Sequence, residues 1–297
     1  MSTAATTVNA PLVEDRPVGL WRDAFRRMRR NPSAIIGGFL VGFFLLMAIF
    51  APFLAPYDPT QGNLGDSYLP PSSEHWFGTN VQGQDMFSRI IYGSRLTLGI
   101  ATLSVAIGIT IGVLLGAISG YFRGRTDAVI MRAVDIMLSI PGLLFAIAVV
   151  TFLGQGVPQI ALAIAILNIP IFARLLRGSL LGVREADYVV AARSVGVGGR
   201  ALLVRHMLPN AISPLIVAAT LALGTAVIDA AALGFLGLGP PDPRTPEWGM
   251  MLSDSYRYLN QAPFLAFFPG IAIVLSVLGF NLLGDALRES LDPKLRR

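Results

Sequence analysis

From Ile136 to Ala173 the sequence runs for 38 residues without a charged side chain. As a single α-helix this run would be about 57 Å long at about 1.5 Å per residue, against a bilayer hydrocarbon core of about 30 Å. Gly154-Gln155-Gly156-Val157-Pro158 interrupts it near the middle, so the run is a hairpin of two membrane spans. The third span begins near Ala128, where Arg132 and Asp135 stand at i, i+3 spacing for a local ion pair. The fourth covers Gln159 to Ala173. The same signature recurs at 31–57, 96–122, 211–236 and 264–284, where Asp229 is the one charged residue. The expected fold class is an all-α polytopic membrane protein with six transmembrane helices.

Composition agrees with that reading. Only 14% of the 297 residues are charged, where a soluble domain carries about 25%. Bilayer-facing side chains cannot be ionised cheaply, which explains the deficit. With no cysteine, disulfides and thiolate metal sites are excluded. Two histidines, His75 and His206, leave little for zinc or a catalytic triad. The first 15 residues lack a basic stretch leading into an apolar core, so no cleaved signal peptide is expected.

The basic residues orient the chain. Six precede the first span, three mark 123–132, six lie in 174–210 and four close the chain. Only Arg89, Arg95, Arg244 and Arg257 fall on the other side, so 19 of the 23 share one face. The positive-inside rule makes that face, with both termini, cytoplasmic. The pI near 10 therefore reflects membrane orientation rather than nucleic-acid binding. Within 1–30, Trp21 to Arg30 is a basic amphipathic piece, either a surface anchor or, more remotely, a nucleic-acid arm.

Two polar islands carry most of the remaining information. Residues 174–210 form a charged cytoplasmic loop: a short helix from Ala186 to Ser194, a glycine break at Gly196, Gly198 and Gly199, a second short helix, and a stop at Pro209. Residues 58–92 form an outer loop rich in Pro and Gly, most of whose residues cap and pack the helix that follows. In the second span Gly108, Gly112, Gly116 and Gly120 recur every four residues. Such a stripe lets helix backbones approach closely, with pore lining as a secondary reading. Asp229 is a functional candidate by position, and the bland reading is a structural hydrogen bond or an ion pair with Arg95.

Ala191-Ala192, Gly196 beyond three further residues, and Leu208-Pro209 twelve residues after that glycine resemble the EAA loop of permease subunits of bacterial ABC importers. Val190 stands where that family usually has glutamate. Ahead of the second span, Trp76-Phe77-Gly78-Thr79-Asn80, Gly83-Gln84-Asp85, Ser88-Arg89 and Gly93-Ser94-Arg95-Leu96 are similar to the dipeptide/oligopeptide/nickel-type branch, with Gln84 in place of its usual arginine. Ala231 to Gly239, Thr245-Pro246-Glu247-Trp248-Gly249, Phe280 to Asp285 and Leu291-Asp292-Pro293-Lys294 extend the likeness, which covers roughly residues 20–297.

The resemblance implies the second permease subunit of such an importer, with the type I importer permease fold. It implies a core at 93–285, an outer loop at 237–263 and a cytoplasmic tail at 286–297. The loop at 174–210 would be the coupling helix, with Asp187, Tyr188, Ala191, Ala192, Arg193, Gly196 and Arg200 meeting an ATPase. Gly78, Thr79, Asp85, Arg89, Arg95, Glu247 and Trp248 form the extracytoplasmic motif, and Asn168, Asp229 and Asn281 are candidates for lining the pathway. Implied partners are a homologous permease, two ABC ATPases, an extracytoplasmic binding protein and the bilayer, with no nucleic acid. Dipeptides or oligopeptides are the expected cargo; nickel chelates, glutathione and short sugars remain alternatives.

The chain itself is not expected to hydrolyse ATP or to bind a cofactor. Its only lysine, Lys294, lies between Pro293 and Leu295, which excludes a P-loop. ATP and Mg are expected in partner subunits. An intramembrane hydrolase would need a base beside a nucleophile, but His75 and His206 fall on opposite faces. A stand-alone secondary transporter would need several intramembrane ionisable groups, and Asp229 is nearly alone.

Overall fold

The computed structural model describes residues 25–291, and among these no strand forms. The first four residues of the basic amphipathic segment at Trp21–Arg30, and 292–294 of the motif through Lys294, lie outside the described residues. The principal helices are α1 (Pro32–Ile49), α2 (Met86–Phe122), α3 (Gly124–Ser139), α4 (Gly142–Leu153) and α5 (Val157–Arg184). They continue with α6 (Asp187–Ser194), α7 (Ser213–Leu233), α8 (Trp248–Tyr256) and α9 (Phe264–Leu291). Five are long and apolar enough to cross a bilayer: α1, α2, α5, α7 with the turn that extends it to Leu238, and α9.

The remaining candidate is a bent pair of helices, α3 and α4, which makes either a broken sixth span or a re-entrant loop. The helix expected to rise from Ala128 instead bends by 94° between α3 and α4. Ile140 precedes Pro141 and is extended (φ −90°, ψ 132°), because the proline ring disfavours a helical residue before it. α3 carries Arg125, Asp127, Arg132 and Asp135 and buries only Val134. α4, with 12 residues, reaches only about 18 Å. The local Arg132–Asp135 pair does not form. Asp135 is bonded to Arg174 Nη2 of α5 at 2.5 Å, and Asp127 takes Arg177 in a fork at 2.5 and 2.6 Å. α3 is therefore tied to α5.

Helix ends also depart from the apolar limits. α2 starts ten residues before Leu96, where the Asp85 carboxylate accepts the Ser88 N–H at 2.8 Å and caps the helix. Its 37 residues span about 56 Å, so its first turns stand outside the hydrocarbon. α5 runs on to Arg184 and α9 to Leu291, carrying charged residues as helix.

The glycine stripe packs α2 against α5. A Cβ placed at Gly112 would lie 2.6 Å from Phe172 Cβ, and one at Gly116 would lie 2.6 Å from Ala173 O. Only hydrogen fits there, and the two backbones meet. α7 and α9 pack side by side, with α1 laid along α9. Phe39, Phe53 and Phe152 remain largely exposed, as expected of side chains that face lipid.

Candidate functional site

The loop between α5 and α7 forms a small domain on the arginine-rich end. Leu176 and Leu180 of α5, Val189 of α6, Leu202, Met207, Ala211 and Leu215 make a fully apolar cluster that anchors it. α6 buries only Val189 and turns Asp187, Tyr188, Val190, Ala191 and Arg193 outward. Asp187 in its first turn and Arg193 in its last complement the helix dipole.

Gly196 ends α6. Its φ is +83°, its N–H bonds to Arg193 O at 3.0 Å and the Val197 N–H to Ala192 O at 3.1 Å. That paired closure satisfies the last carbonyls and requires a left-handed residue, which glycine adopts without strain. Gly199 is needed for a different reason: a Cβ there would sit 1.9 Å from the Tyr121 hydroxyl. Tyr121, at the end of α2, thus wedges the loop. Arg200 is exposed beyond it.

Pro209 does not stop the chain. It occupies the first turn of a short helix, Leu208–Ala211, where its missing N–H is no loss. A π-helical stretch, Leu202–Met207, precedes it, and only Ile212 breaks the run into α7. From Gly199 the loop is therefore helical almost without interruption into α7.

At the opposite end the expected extracytoplasmic motif is a packed lock. Gly78 (φ +75°) turns the chain, the Thr79 hydroxyl bonds Asp66 O, and Asp85 accepts from Ser88 and faces His75 Nδ1 at 3.0 Å. Arg89 is buried and donates to Pro59 O, Gln84 Oε1 and Arg244 O at 3.0, 2.5 and 3.0 Å. Glu247 caps α8, accepting the Gly249 and Met250 N–H groups at 3.0 and 2.8 Å and the Thr97 hydroxyl at 3.2 Å. Burial pushes its carboxyl above the usual value, against those hydrogen bonds. The Trp248 indole donates to Ile90 O at 3.0 Å and fills the notch at Gly93. Arg95 is exposed and makes no ion pair among the described residues.

The three pathway candidates sit in different surroundings. Asn168 is buried on α5 against Gly108 and donates to Ile164 O at 3.0 Å, a packing role rather than an open face. Asn281 is exposed and abuts α7 at Gly224. Asp229 is half-buried and, among the described residues, has no hydrogen bond or ion pair, so neither a structural hydrogen bond nor the pair with Arg95 forms there. Sequence reasoning missed Tyr121, Val189 and the Asp127–Arg177 fork, which no local spacing announces.

Residues 112–297, which include every element of the loop, match the family model described as "Binding-protein-dependent transport system inner membrane component". The chain belongs to this family. A second model, the N-terminal TM domain of oligopeptide transport permease C, matches residues 19–71 of the permease. The permease is 45% identical to the dipeptide transport system permease protein DppC of Alkalihalophilus pseudofirmus, over 97% of this chain and 95% of that protein. It is 41% identical to the glutathione transport system permease protein GsiD of Pectobacterium atrosepticum, over 98% and 97%. The fold resembles inward-facing MetNI, a methionine ABC transporter, with TM-score 0.58, 21% identity, and coverage of 70% of this chain and 98% of that one. This is a multi-pass inner membrane protein, and its relatives are transport subunits rather than enzymes. A system of this kind also comprises a substrate-binding protein and an ATPase.

Proposed function

We propose that the permease forms half of the translocation pathway of a dipeptide importer, paired with a homologous permease. α6 is its coupling helix, seated in a groove of one of two ATPase subunits that carry the ATP and Mg. The carrying observation is the shape of that helix. Its back is pinned through Val189 to α5 and α7, while Tyr188, Val190, Ala191 and Arg193 stand outward on a capped, rigid turn. A push on this face is delivered directly to two spans, because α5 enters the loop without a break and the loop leads into α7. ATP-driven closure of the ATPases would thereby bias the spans between inward- and outward-open states. The usual glutamate is absent, so Val190 offers an apolar contact in place of an ion pair.

Dipeptide cargo follows the 45% identity to the dipeptide permease. The glutathione permeases at 41% and 43% identity favour a second reading in which the cargo is glutathione.

Since the chain has no cysteine, Val190→Cys places a lone thiol on the outer face of α6. In the assembled complex a short bifunctional reagent should link it to an ATPase subunit. A Leu64→Cys control, an exposed position in the loop at the opposite end, should not link. Absence of any link from Val190→Cys, with the complex intact, would refute the assignment of α6.

A further inference from the structure

Asp229 is the only charged residue within the apolar stretches of the chain. The stretches 32–57, 96–122, 136–173 and 264–284, which supply the membrane-embedded parts of α1, α2, α4, α5 and α9, hold no Lys or Arg. Among the described residues no cation pairs with Asp229. An unpaired carboxylate at membrane depth is costly, so it either holds a proton or meets a cation from elsewhere.

The face of α7 that carries it is distinct from the packed one. Ala226, Val227, Ala230, Ala231 and Leu233 are buried on one side. Thr225, Ile228, Asp229 and Ala232 lie on the other at i, i+3 and i+4 spacing. Thr225 is exposed one turn from Asp229, and its hydroxyl hydrogen is given to Ala222 O at 3.0 Å. Its oxygen lone pairs are left to accept. Two carboxylate oxygens and one hydroxyl oxygen make an acceptor set suited to an ammonium with three N–H donors. Lipid offers no reason for such a face, whose neighbours Ala222 and Ala232 are small.

We propose that Asp229, with Thr225, receives the amino-terminal ammonium of the cargo as it passes through the pathway. This rests on the dipeptide reading above. The carboxylate thus selects for cargo bearing a free amine, independently of the binding protein that delivers it.

The test uses the whole importer in proteoliposomes, with dipeptide and its desamino counterpart, in which the amine is replaced by hydrogen, supplied through the same binding protein. Delivery is common to all permease variants, so a change in the preference between the two cargoes belongs to the permease. Asp229→Asn should reduce uptake of the free-amine dipeptide by about tenfold, the worth of a charge-assisted hydrogen bond, with a smaller loss for the desamino cargo. Asp229→Glu should restore most of the preference. Equal losses for both cargoes, or none, would overturn the proposal. So would loss of the second permease from purified Asp229→Asn complex, which would make Asp229 half of an intersubunit ion pair. If the unmutated importer carries no free-amine dipeptide, the dipeptide reading falls and this proposal falls with it.

Discussion

The approach of α2 to α5 allows a worked test at Gly112. A Cβ there would meet Phe172 Cβ at 2.6 Å, Ile169 O at 2.8 Å and the Ala173 N at 3.1 Å. Comfortable carbon contacts lie at about 3.5–4.0 Å, so the two helices must part by about 1 Å. Overpacking of this kind costs about 1–3 kcal/mol, from which alanine's better helix propensity recovers up to about 1 kcal/mol. Gly99 lies on the same helix with nothing within 4 Å of its notional Cβ. Gly99→Ala should therefore stabilise by about 0.5–1 kcal/mol. The assay is thermal unfolding of both purified variants in one detergent, where about 2–4 °C accompanies each kcal/mol. Gly112→Ala should melt below the parent and Gly99→Ala at or above it. The same midpoint for both would refute backbone contact as the origin of the stripe. Because α5 carries the coupling loop, Gly112→Ala should also lower uptake.

Other positions give further tests. Asp127→Asn, which breaks a partly buried fork, should cost about 1–3 kcal/mol, while Asp135→Asn at an exposed pair should change stability by less than about 1 kcal/mol; both are read by thermal midpoint. Gly196→Trp should abolish uptake while the protein stays in the membrane, because it combines left-handed strain with an indole at the ATPase face; radiolabelled uptake beside a membrane immunoblot decides it. Glu247 has a raised carboxyl pKa, so the folded state holds its proton more tightly and stability should fall as pH rises through the window above its ordinary 4.5. Glu247→Gln should flatten that slope in unfolding midpoints taken across the pH range.

The spans and the coupling loop were legible in the sequence because their signals are local. Uncharged runs, glycine breaks and arginine counts need no partner to be read. What failed depended on tertiary neighbours. Asp135 has Arg132 at helical spacing, yet α5 brings Arg174 within reach instead. α2 begins at Met86 because Asp85 caps it and a folded outer loop satisfies Arg89, neither of which hydropathy registers. Pro141 was visible, but the size of the bend it permits was not. Asn168 and Asp229 look alike as polar residues in apolar runs. Only packing distinguishes the buried amide from the half-buried, unpartnered carboxylate.

The central claim, that this permease works in an ATP-driven importer of dipeptides, is tested most directly by purifying the tagged chain from its native membrane in mild detergent and assaying ATP hydrolysis. A second permease and ATPase subunits should accompany it, and a dipeptide-loaded binding protein should raise the hydrolysis rate. A chain that arrives without an ATPase would contradict the importer mechanism, and an ATPase indifferent to dipeptide would contradict the cargo.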